Sequence, residues 1–131
     1  MATKIQKIQK QITAAVAHAR ALGATLVARG SWGVRYQAGV GWTPLPNDDL
    51  QVCICGAIAL SENPTNGKGI LHAIAKKYDI TIGQAASLSD GFERYVVGEG
   101  DSPAYPVRYE HDPVWYRIGR KWRWRADRVE D

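Results

Sequence analysis

The chain has 131 residues, 45% hydrophobic and 23% charged, one domain's worth of polypeptide and outside the low-hydrophobicity, high-charge range where chains stay unfolded. No apolar run approaches the roughly 20 residues that a membrane helix needs, and Lys4, Lys7 and Lys10 stand among glutamines where a signal peptide would be apolar, so a cytoplasmic protein with no membrane partner is expected. The net charge of +4 is segregated, with six bases and no acid over residues 1–47, five bases and ten acids over 48–112, and six bases and three acids over 113–131; such poles either steer an anionic partner or neutralise one another in the fold.

Ile5, Ile8, Ile12, Val16, Ala19 and Leu22 recur at steps of three or four with Lys and Gln opposite them. This predicts an amphipathic helix over 3–22 that stops at Gly23, the residue best able to turn left-handed past a helix end. Val34, Tyr36, Ala38, Val40 and Trp42 then alternate with Gly33, Arg35, Gln37, Gly39 and Gly41, the period of a strand with one buried face. With 24–29 as a partner, strands are expected near 24–42. The glycines mark a bulge, a turn, or a surface on which something lies close to the backbone. The apolar run 52–60 predicts a buried helix near 52–61. Ile70, Leu71, Ile74, Ala75 and Tyr78 predict another over 69–78, and the capping pair Thr81 and Gln84 opens a third over 81–95.

After an acidic, proline-containing loop over 98–106, aromatic residues alternate with arginines. Gly119 suits the first central position of a two-residue turn between Ile118 and Lys121, which predicts a C-terminal hairpin over 107–126. That register sets Trp115 opposite Trp124 and Arg117 opposite Trp122, with three indoles and one guanidinium on a single face. Together these elements predict a compact α+β fold, a single domain over 1–131 with about four helices packed on a small antiparallel sheet.

Few motifs carry chemistry. Cys53 and Cys55 are the only cysteines, too few for a disulfide framework in a chain without a secretory signal. On a helix they would diverge by about 200°, and with His72 and His111 their spacing matches no common zinc module. Buried, chemically quiet cysteines are expected, with no metal and no cofactor. Asn66, Gly67, Lys68 and Gly69 resemble the end of a phosphate-binding loop, yet Glu62 and Gly69 stand where it needs a glycine and a hydroxyl. Pro44 breaks the dinucleotide fingerprint that Gly39 and Gly41 begin. Asp48 with Asp49 and Glu99 with Asp101 read as solvated turns, and no nucleophile elbow occurs, so no residue points to catalysis.

Cys53, Gly56 and Ala57 form a Cys-x-x-Gly-Ala start to a small apolar helix, Asp90, Gly91 and Phe92 follow late in the next helical pair, and Trp32 and Trp42 lie upstream. In this the chain resembles a group of small hypothetical proteins of bacteria and their phages. The resemblance covers about residues 32–94 and implies a phage or mobile-element setting without an activity. Cys55 departs from it, standing where proline or another residue is expected. Gly56 is expected to permit close helix packing, and Gly91 with Phe92 to set a helix-face contact.

The tail is the most distinctive surface candidate. Arg117, Arg120, Lys121, Arg123, Arg125 and Arg128 fall within twelve residues, interleaved with Trp122 and Trp124. Arginine neutralises phosphates and indoles stack on exposed bases. The expected function is non-catalytic binding of nucleic acid through Arg117, Arg120, Lys121, Trp122, Arg123, Trp124 and Arg125. Trp and Arg are equally the hot-spot residues of protein interfaces, so a protein-interaction or inhibitor module, or a homodimer, would use the same surface. A small enzyme without a recognisable motif is a further alternative. Against all of these stands a tail that belongs to the core, with tryptophans inside and arginine stems over its edge.

Overall fold

The computed structural model describes residues 2–27, 32–46, 49–65, 69–94 and 112–126, of which 93, 94 and 123–126 are described as backbone alone. Helix α1 runs Lys4–Ala21. Thr3 opens it in a capping box, its hydroxyl accepting from the Gln6 N–H at 3.1 Å while the Gln6 side chain accepts from the Thr3 N–H at 2.9 Å. At the other end Gly23 takes φ +98°. Its N–H donates to the Arg20 carbonyl and that of Ala24 to the Ala19 carbonyl, the paired closure of a helix ended by a left-handed glycine.

Two short strand pairs follow. β1 (Thr25–Leu26) pairs in parallel with β4 (Gln51–Val52), and β2 (Val34–Gln37) pairs antiparallel with β3 (Gly41–Pro44), Tyr36 facing Trp42 across the ladder. The alternation through 34–42 therefore belongs to two strands and not to one, because the chain reverses at 38–40 with Gly39 and Gly41 at φ +81° and +106°. The expected antiparallel sheet is thus half right: one pair is antiparallel, the other parallel.

α2 (Ile54–Glu62) is the centre of the molecule. Residues 52–59 are all buried, as an apolar helix with no polar face must be. α1 lies against it, and the Ser61 hydroxyl donates to the Ala15 carbonyl at 2.6 Å. Asn63 ends α2 in the left-handed conformation, and its side-chain oxygen accepts from the Trp42 backbone N–H at 3.0 Å. The Trp42 indole N–H donates to the Pro64 carbonyl at 2.9 Å, so β3 is latched to the end of α2. Gly56 does permit a close approach, though to a different neighbour: a Cβ there would overlap the Trp32 carbonyl, in the segment leading into β2. α3 (Ile70–Tyr78) and α4 (Ile82–Arg94) complete the middle of the chain, and Thr81 and Gln84 form the expected capping box at 3.0 Å in both directions. The Tyr78 hydroxyl is held under α2, donating to the Glu62 carboxylate at 3.1 Å; burial first, and the Glu62 charge second, push its phenol above the ordinary range.

The C-terminal hairpin is overturned. Residues 113–126 form a fifth helix, α5 (Pro113–Ala126), running in the same direction as α4, since Asp112 at its start meets Gln84 and Ser87 while Gly119 further along meets Leu88 and Phe92; residues 107–111 of the expected hairpin lie outside the described residues. Two features of the sequence favour the helix. Asp112 and Pro113 are an N-cap followed by a proline at the first helical position. Trp115, Ile118 and Trp122 fall at helical steps, and all three are buried. Buried residues from all five helices and from each of the four strands make one hydrophobic cluster, so the fold is α+β and compact. Among the described residues no helix is long and apolar enough to cross a membrane.

Candidate functional site

α5 is set in place from its first turn. The Asp112 carboxylate accepts from the Val114 N–H at 3.0 Å, capping the helix. The Asp112 backbone N–H donates at 2.7 Å to the hydroxyl of Ser87, a fully buried serine on α4, and the Gln84 amide reaches the other carboxylate oxygen at 3.5 Å. Further along, the two helices touch backbone to backbone. A Cβ on Gly91 would overlap the Tyr116 carbonyl oxygen, and one on Gly119 would overlap that of Leu88. Each helix thus brings a glycine where the other brings a carbonyl, the small-residue contact that allows Cα–H groups to approach oxygens. The contact expected of Gly91 and Phe92 is present, with Phe92 fully buried beside it.

This packing fixes which side of α5 faces out. Trp115 and Trp122 are 2% and 8% exposed, so neither can stack on a base or cap a partner. The sharing of one face by Trp115, Trp122 and Arg117 is also overturned, since Arg117 points outward with Lys121 while Arg120 is half-buried. Arg123, Trp124 and Arg125 belong to α5 by their backbone, and their side chains lie outside the described residues, as does Arg128 altogether. Among the described aromatics, those with substantial exposure are Trp32 and Tyr36, at the β2–β3 hairpin.

Beside α5 lies the first third of α1, and the two helices enclose a groove of about 460 Å³. α1 contributes Ile5 and Gln9. α5 contributes Val114, Arg117, Ile118 and Lys121, at the i, i+3, i+4, i+7 positions of one helical stripe, together with Arg120. The floor is apolar, made by Ile5, Val114 and Ile118; the rim is cationic, and among the described residues no carboxylate lines it. The basic N-terminal segment does find an acid elsewhere, since Lys4 pairs with Asp79 at the end of α3 at 3.4 Å. That pair is exposed on both sides and contributes little to stability. Among the described residues the segregated charge is therefore neutralised in part on the α3 side, and Arg117 and Lys121 are exposed one turn apart on α5.

The sequence pattern does not reveal Ile5, Gln9, Val114 and Ile118 as groove residues. The helix-start pair Asp112 and Pro113 is the signal that points to them, because it converts the tail's period from two to 3.6 and places residues 114, 117, 118 and 121 on one stripe. Cys53 and Cys55 are both buried, the first as the N-cap of α2 and the second in its first turn. Among the described residues no three His, Cys, Asp or Glu side chains gather as a metal site would require. Compared with known proteins, the chain matches no family model, no curated protein and no solved structure.

Proposed function

We propose that this chain is a non-catalytic protein-interaction module whose contact surface is the groove between α1 and α5, and that it engages an acidic stretch of a partner protein. The observation that supports this most is the union of an apolar floor, Ile5, Val114 and Ile118, with the exposed cations Arg117 and Lys121, and with no carboxylate among the described residues that line it. Phosphate contacts alone need no apolar floor; a protein segment that buries apolar side chains while its carboxylates meet guanidinium and ammonium groups uses both. A bacterial or phage source, as the Cys-x-x-Gly-Ala and Asp-Gly-Phe resemblance implies, suits a small module of this kind.

Nucleic acid is the second reading, favoured by five cations between Arg117 and Arg125 in the sequence. Among the described tryptophans of α5, Trp115 and Trp122 are buried and unavailable for stacking, so the described part of that helix offers this reading phosphate contacts. Salt separates the two. Binding through phosphates loses affinity with a logarithmic slope of about −0.7 per phosphate on single strands, while contacts with a desolvated apolar centre are far less sensitive. In fluorescence anisotropy against a labelled Glu- and Leu-rich peptide and a labelled 20-nucleotide single strand, the module is expected to hold the peptide from 50 to 300 mM salt. The charge-reversed pair Arg117→Glu and Lys121→Glu is expected to release it by more than tenfold with the fold intact. Tight oligonucleotide binding with a steep salt slope, and none of the peptide, would transfer the surface to nucleic acid.

A further inference from the structure

We infer that the occupant of the α1–α5 groove is a short amphipathic helix of a partner, apolar along one stripe and acidic on its flanks; this rests on the protein-interaction reading above. The groove is itself made by two helices side by side, with its α5 wall a single stripe at 114, 117, 118 and 121. A third helix laid along such a valley sets its own i, i+3, i+4 side chains into the spaces between those residues, as ridges fit into grooves. From Val114 to Lys121 is seven steps, roughly 10 Å of helix axis at 1.5 Å per residue, the span of two helical turns in the partner.

Chemistry sets the order of residues on that helix. Val114 is 39% exposed and Ile118 lies beneath it at the edge of the core, so the apolar anchors of the partner sit over these two and Ile5. Arg117 and Lys121 flank the stripe one turn apart, each exposed. Acidic residues one turn apart on the flank of the incoming helix meet them at matching spacing. Gln9, half-buried on the α1 wall, presents an amide that can accept or donate, so this wall tolerates polar groups without selecting a charge. An acidic helix with an apolar stripe satisfies all three features, whereas an extended acidic segment would alternate its side chains and leave the apolar floor half covered.

The test compares two peptides of identical composition, one with Leu at helical spacing and Glu on its flanks, the other with the same residues scrambled. The helical peptide is expected to bind the full chain at least tenfold more tightly than the scrambled one. Its affinity should fall at least tenfold with Val114→Glu and again with Gln9→Glu, both at positions outside the core, with circular dichroism unchanged. Equal binding of both peptides would overturn the helical occupant and leave an acidic protein partner standing. Binding of neither peptide, with or without binding of a 20-nucleotide single strand, would overturn both. A concentration-dependent dimer abolished by Arg117→Glu with Lys121→Glu would identify a second copy of this chain as the occupant and likewise overturn the proposal.

Discussion

Gly119→Ala is expected to destabilise the protein by about 2 kcal/mol or more, although the same change in a free helix would stabilise it by about 1 kcal/mol. Alanine is the better helix former because glycine loses more backbone freedom on folding. Here the added methyl has no space: it would overlap the Leu88 carbonyl, a backbone atom that cannot rotate away as a side chain could. Either α5 retreats from α4, uncovering Trp115 and Trp122, or the backbone of α4 gives way. Gly91→Ala meets the Tyr116 carbonyl one turn along and is expected to act in the same direction. Since both changes open one interface, the double variant should lose less than the sum of the two. Chemical denaturation monitored by circular dichroism decides the sign, and a gain in stability at either glycine would show that the helices are not in backbone contact.

Trp122→Ala is expected to cost about 3–5 kcal/mol, the range for removing a buried aromatic ring, while Arg117→Ala on the opposite side of the same helix should stay within about 0.5 kcal/mol. Trp122 is 8% exposed and belongs to the common hydrophobic cluster; Arg117 is exposed. The contrast bears on function as well as stability. An indole reserved for stacking on a partner could be removed with little effect on folding, and the binding surface would then lose affinity without losing structure. With the ring inside, the order reverses: Trp122→Ala unfolds or loosens the chain, whereas Arg117 and Lys121 can be exchanged for acids to alter binding alone.

Much of the fold is legible in the sequence where one period dominates. α1 is written by an unbroken stripe from Ile5 to Ala19 and stopped by Gly23, α2 by an uncharged run too apolar to face water, and α4 by Thr81 and Gln84. The tail is ambiguous because its aromatics satisfy two periods at once. Trp122 and Trp124 alternate with arginine as in a strand, yet Trp115, Ile118 and Trp122 also keep helical steps. Gly119 tips the balance wrongly, since a glycine between two such runs suggests a turn, when its role is to admit the α4 backbone. Only the local pair Asp112 and Pro113 decides for the helix. The groove is legible even less. It needs Ile5 and Gln9 beside Val114 and Ile118, from opposite ends of the chain, and no periodicity within either segment encodes that neighbourhood.

Binding through the groove requires that α5 be a helix with Trp115 and Trp122 turned in and Arg117 and Lys121 turned out. Backbone chemical shifts of the isotopically labelled full chain report this directly. An unbroken run of helical Cα secondary shifts from residue 113 to 122, with the Trp122 indole proton slow to exchange with solvent, is the expected result. Extended-type shifts on both sides of Gly119, with that indole proton exchanging freely, would contradict it and dismantle the groove with it.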